Sequence, residues 1–104
     1  MKLCVIMSIY KNDNLLAVTQ SIESILRQAY EKIEFYIQLD GEIRSDVLQY
    51  LRGLCIQDIR VKILNRTLNR GLAYSLNELL NIVLTKEYEY IARMDADEDR
   101  KSVV

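Results

Sequence analysis

A chain of 104 residues is enough for one small domain, residues 1–104, and with half its residues apolar it can bury a core. Fourteen basic against fifteen acidic residues give a net charge of −1, which excludes the basic excess of a general nucleic-acid binder. The absence of histidine excludes Ser–His and Cys–His catalysis within the chain, and any metal must be held by oxygen.

The first segment, "KLCVIMSI", is a continuous apolar run of strand length, expected to be covered on both faces. Met1, one lysine and so short an apolar run do not make a signal peptide. The polar turn "YKNDN" follows, with Asn12 or Asp13 as the expected cap of the next helix. Leu15, Val18, Ile22, Ile25 and Ala29 recur at spacings of three and four and predict an amphipathic helix. "IEFYIQLDG" is a second strand, ended by Asp40-Gly41. Val47, Leu48, Leu51, Leu54 and Cys55 mark a second helix, weakened at its end by Gly53. "IRVKIL" is a third strand and "NRTLNRG" a polar loop. Leu72, Leu76, Leu79, Leu80 and Val83 predict a third helix, and "EYEYIARM" a fourth strand. No apolar run approaches the roughly 20 residues of a membrane span. Cys4 and Cys55 lie in apolar contexts and read as reduced core residues of a cytosolic protein.

Strict strand–helix alternation predicts an α/β fold: a three-layer, Rossmann-like, mainly parallel sheet with helices on both faces. Ligands of such sheets bind beyond the carboxyl ends of the strands. The polar residues at those ends are therefore expected to converge: Tyr10 to Asn14, Asp40 to Glu42, Asn65 to Gly71, and Asp95 to Asp99.

Asp95 and Asp97 stand two apart just past a buried strand, where unpaired carboxylates repel. A divalent cation removes that cost, and oxygen-only ligands suit Mg2+ or Mn2+. A solvated acidic segment fits the same residues equally well. Asp40-Gly41 reads first as a tight turn, and secondly as a carboxylate accepting from a base or ribose. Gly71, at a helix start, allows close backbone approach; the helix N–H groups can receive a phosphate, with Arg70 adding a charge-assisted contact. Asn77 is expected to pack against that loop. Six of the seven tyrosines read as structural; Tyr10, at the end of the first strand, can stack on a base.

Taken together, the segments "VIMSIYKND", "SIESILRQAYEKIEFYIQLDG", "NRTLNRGLAYSLNELL" and "YIARMDADE" resemble, in order, the inverting glycosyltransferases of family 2 with their GT-A fold. The third is similar to that family's N-x-G-x-x-x-A/S-x-N helix start and the fourth to its D-x-D metal motif. The resemblance implies a nucleoside diphosphate-sugar as ligand, with UDP-sugar as the expected donor, and Mn2+ or Mg2+ as cofactor. It implies Tyr10 and Asn12 lining the base pocket and Asp40 accepting from the base. It further implies Arg70 near the pyrophosphate, Asp95 on the ribose and Asp97 on the metal. Complete relatives transfer the sugar to a polysaccharide or glycan acceptor, in the cytoplasm or at the inner membrane surface. The chain departs from the pattern in lacking proline, and only "EDRKSVV" follows Asp97. The expectation is therefore a donor-binding N-terminal part whose catalytic base lies downstream. It would carry no nucleic-acid site and no integral membrane segment, and it would self-associate through the surface left uncovered. A non-catalytic nucleotide-binding or interaction module of the same fold is the alternative. A receiver-like domain would need a phosphate-accepting aspartate after the third strand, where this chain has Asn65.

Overall fold

The computed structural model describes residues 3–28 and 32–96. Seven elements alternate: β1 (Leu3–Ile9), α1 (Leu15–Gln28), β2 (Ile33–Asp40), α2 (Ser45–Gln57), β3 (Val61–Arg66), α3 (Leu72–Val83) and β4 (Tyr90–Arg93). The four strands form one sheet in the order β3-β2-β1-β4, and every pairing is parallel. β1 and β2 are central, which is why both are apolar on both faces: every residue of β1 after Leu3 is buried, and so is every residue of β2 except Glu34.

The pleat divides these strands between two cores. Val5, Met7 and Ile9 of β1 and Phe35, Ile37 and Leu39 of β2 face Val18 and Ile22 of α1 and Val47 and Leu51 of α2. On the other face Cys4, Ile6 and Tyr36 meet Leu76, Leu79 and Val83 of α3. Two helices therefore cover one face and one helix the other, where α3 lies over β1 and β2. Beside it, Ile6, Leu76, Leu80, Ile91 and Arg93 line an open groove of about 400 Å³ toward β4. Among the described residues, β4 pairs with β1 alone and leaves its outer edge open. Asn77, expected to pack on the loop ahead of α3, instead stands exposed along this groove.

Local chemistry sets the element ends. Asn14 caps α1, its side-chain oxygen accepting from the Ala17 N–H at 2.9 Å. This corrects the expected cap at Asn12 or Asp13: Asp13 instead closes the preceding turn by accepting from the Tyr10 N–H at 2.9 Å. Gly53 does not shorten α2, which continues to Gln57. β3 starts two residues later than its apolar pattern suggests, because Asp58 and Arg60 first form an ion pair at 2.7 Å. β4 is confined to four residues. Ahead of it Tyr88 turns under α3, its hydroxyl meeting the Tyr36 hydroxyl at 3.0 Å and donating to Glu34 at 2.9 Å. Cys4 is buried as expected, and burial, with the Glu34 charge, pushes its thiol up to about 12. Cys55 is exposed, since the last turn of α2 runs clear of the sheet together with Ile56. No helix among the described residues is long and apolar enough to cross a membrane.

Candidate functional site

The parallel sheet sends all its strand ends to one side, and the segments after the strands meet there. They enclose a cleft of about 360 Å³. Ser8, Tyr10, Lys11 and Asp13 come from the end of β1 and its loop, and Asp40 from the tip of β2. Asn69, Gly71 and Leu72 come from the start of α3, and Asp95 and Ala96 follow β4. All four segments expected to converge contribute. Tyr10, 40% exposed, presents its ring at the mouth of the cleft. Asp95 lines the opposite wall and pairs with Arg93 at 3.0 Å.

Asp40 is 2% exposed and ends the cleft floor. Its carboxylate accepts from the backbone N–H groups of Arg70 at 2.7 Å and Gly71 at 3.0 Å, and from the Arg66 guanidinium. Burial opposes ionisation here, yet the Arg70 N–H, the Arg66 guanidinium and the Gly71 N–H together outweigh it and hold the carboxyl below its ordinary value. The Arg70 and Gly71 N–H groups thus donate to the chain's own carboxylate, while Asp40 itself lines the cleft. The backbone makes this possible. Gly41 turns the chain with φ +81, and a Cβ there would stand 2.9 Å from the Asn69 nitrogen, so the turn after β2 lies directly against the loop before α3. Gly71, with φ +93, opens the helix.

Arg66 is a partner of Asp40 that sequence reasoning missed. It is the last residue of β3, and the register places it beside Asp40. Its Nε donates to the Leu68 carbonyl at 2.9 Å, and its terminal nitrogens reach Asp40, the buried Ser75 hydroxyl and Glu78. Its guanidinium carbon lies 4.9 Å from the centre of the Tyr74 ring.

Of the expected site residues, Tyr10, Asp40 and Asp95 share the cleft; Asn12 and the Arg70 side chain do not line it. Asn12 is exposed on the turn, and the Arg70 guanidinium lies 5.3 Å from the Tyr74 ring centre. Asp97 lies outside the described residues. Ser8, Lys11, Asp13 and Asn69 were not singled out by sequence, although the last three lie in the loops expected to converge. Their only signal is position: a polar residue within three places of a strand or helix end at the ligand edge. Among the described residues no group of three or more acidic, cysteine or histidine side chains could hold a metal by itself. The acidic side chains that line the cleft, Asp13, Asp40 and Asp95, offer hard oxygens, the donor type that Mg2+ and Mn2+ take.

A parallel α/β sheet with a cleft at its carboxyl edge defines a Rossmann-like class of fold, and sequence comparison makes the class specific. The glycosyl transferase family 2 model matches residues 4–98, and the chain belongs to that family. It is 38% identical over 85 residues to an uncharacterized glycosyltransferase of Haemophilus influenzae, covering 81% of this chain and 25% of that protein. It is 37% identical over 95 residues to the O-antigen biosynthesis glycosyltransferase WbnJ of Escherichia coli, covering 90% of this chain and 35% of that protein. The chain thus spans a quarter to about a third of these relatives. Its fold is similar to that of the mannosyltransferase PcManGT from Pyrobaculum calidifontis, solved in complex with GDP-Man and Mn2+. That similarity has TM-score 0.73 and 20% identity and covers 92% of this chain and 27% of that one. A second similarity, to TarS of S. aureus, has TM-score 0.72 and 22% identity, with 93% and 17% covered. The fold is therefore the GT-A glycosyltransferase type.

Proposed function

We propose that this chain is the donor-binding part of a family 2 glycosyltransferase and that its cleft takes a nucleoside diphosphate-sugar, with UDP-sugar as donor. The observation that carries the reading is the convergence of all four strand-end segments on one cleft, in a chain whose family match runs through the acids after β4. The Tyr10 ring stacks on the base and Asp95 accepts from the ribose, while Asp97 holds Mn2+ or Mg2+ against the diphosphate. The metal supplies charge neutralisation of the departing nucleoside diphosphate. Asp40 serves the cleft from behind, by fixing the loop that forms its wall. The acceptor is a polysaccharide or glycan, and the reaction belongs to the longer protein of which relatives give the pattern.

The cleft carboxylates are each engaged within the chain: Asp13 with the Tyr10 N–H, Asp40 with Arg66 and the loop, Asp95 with Arg93. None is assigned as the base. That observation keeps a second reading in view, binding of nucleotide without turnover. The open outer edge of β4 is where the chain would pair with a second copy.

Calorimetry with UDP and GDP, each with Mn2+ and with EDTA, tests the reading. UDP is expected to bind weakly with Mn2+ and not after chelation. Binding that ignores EDTA would remove the metal role of Asp97, and absence of any nucleotide binding would overturn the reading.

A further inference from the structure

The wall of the cleft formed by Asn69, Gly71 and Leu72 belongs to a loop with few means of holding its own shape. It runs from the end of β3 to the start of α3, it is largely exposed, and α3 begins without a side-chain cap of its own. Beside the Asn69 side-chain hydrogen bond to the Asp40 carbonyl at 3.4 Å, two side chains hold it. One is the Asp40 carboxylate, which holds the N–H groups of Arg70 and Gly71 from below. The other is the Arg66 guanidinium, which joins that carboxylate to the Leu68 carbonyl inside the loop and to Ser75 and Glu78 on the first two turns of α3. The Arg66 side chain is 14% exposed and that of Asp40 3%. A planar fork with five donors can satisfy acceptors on three different elements at once, which a single ammonium cannot do with the same geometry.

We infer that Arg66 is a positioning residue of the donor site. It touches no ligand itself, and it holds the 67–71 loop in the shape that receives the nucleotide, before any nucleotide is present. The inference rests on the donor-site reading of the cleft and adds to it the group that determines the cleft's shape. Arg66 does not line the cleft, and its guanidinium donates to Leu68, Asp40, Ser75 and Glu78 within the chain. Its effect on affinity therefore comes from pre-organisation: a loop already fixed loses less freedom on binding.

The test uses the 104-residue chain with Arg66→Lys and Arg66→Met, reading UDP affinity with Mn2+ by calorimetry and amide hydrogen exchange by NMR. Arg66→Lys keeps the charge and is the variant expected to retain the fold. It should weaken UDP about tenfold, and Arg66→Met should weaken it further. Lys should restore part of what Met removes. In both variants the Arg70 and Gly71 amides should lose protection while those of Val5, Phe35 and Ile37 in the central strands keep theirs. A uniform loss of protection over the sheet would mean that Arg66 only stabilises the fold, and would overturn the inference. So would unchanged UDP affinity in Arg66→Lys despite exposed loop amides. A wild-type chain that binds no nucleotide would overturn the donor-site reading first, and the inference with it.

Discussion

Asp40 is both deeply buried and ionised, and this gives the fold a pH dependence of known sign. Its folded-state value lies below the ordinary 3.8, held there by the Arg70 N–H, Arg66 and the Gly71 N–H against the opposing effect of burial. The ionised carboxylate therefore contributes stability that is fully present above the ordinary value and is lost as pH falls through the lowered one. Asp58, lowered chiefly by its hydrogen bonds from the Arg60 side chain, adds in the same direction. Thermal melting of the wild-type chain should accordingly fall away below about pH 4, the ordinary carboxyl range. Asp40→Asn should flatten most of that acid limb and lower stability at pH 7 by roughly 2 to 3 kcal/mol, the cost of removing a charged acceptor from buried donors. An acid limb left intact by Asp40→Asn, and removed by Asp58→Asn, would place the pH sensitivity at the start of β3 instead. The sequence made Asp40 visible as an acid at a strand end, but not its partner. Arg66 lies 26 residues away, and only the parallel register of β2 and β3 brings the two together. Tyr10 was legible because a large ring at the end of a buried strand has few other uses. Lys11 and Asn69 were not, because nothing in a polar loop distinguishes the side chain that turns inward. Tyr10→Ala should leave the melting temperature within a few degrees of wild type, since the ring is 40% exposed, while reducing UDP affinity severalfold in calorimetry. An unchanged affinity would take the base away from this end of the cleft.

At the scale of elements, the glycines separate turn chemistry from helix chemistry. Gly41 has φ +81 and its missing Cβ would lie 2.9 Å from backbone, so Gly41→Ala is strained by both conformation and contact. Gly53 lies inside α2, and a Cβ there meets nothing within 4 Å. Gly41→Ala should destabilise by more than about 1 kcal/mol, whereas Gly53→Ala should stabilise by roughly 0.5 to 1 kcal/mol through the restricted unfolded chain and better helix propensity. Urea titration of the two variants checks the opposite signs, and two shifts of the same sign would contradict the backbone argument. Asn14→Ala should cost about 1 kcal/mol by removing the cap of α1. The order of elements was legible throughout, because central parallel strands must be apolar on both faces and helices must carry a stripe. The strands at the edges were less so. Among the described residues β3 and β4 each have one partner, their exposed residues dilute the apolar pattern, and their limits are set by the Asp58–Arg60 pair and by Tyr88, which contacts Glu34 far along the chain.

At the scale of the whole molecule, the sheet is closed on neither side among the described residues, and the β4 side has the stronger reason to find a partner. Tyr90 is 58% exposed, and the groove between α3 and β4 leaves Leu80 and Ile91 partly uncovered. An open strand edge beside an apolar groove favours addition of another strand. The sequence of the edge suits a second copy of itself. If two β4 strands pair antiparallel about Ile91, Tyr90 lies opposite the partner's Ala92 on both sides of the two-fold axis, and the two Ile91 side chains meet beside the joined grooves. The 104-residue chain is therefore expected to form a dimer, seen as a mass that rises with concentration in light scattering. Tyr90→Lys combined with Ala92→Lys places like charges directly across the paired strands, which is unfavourable, and should shift the equilibrium to monomer. A chain that stays monomeric over the whole concentration series would show that this edge does not pair with itself. Dimerisation that ignores the double substitution would move the interface away from β4.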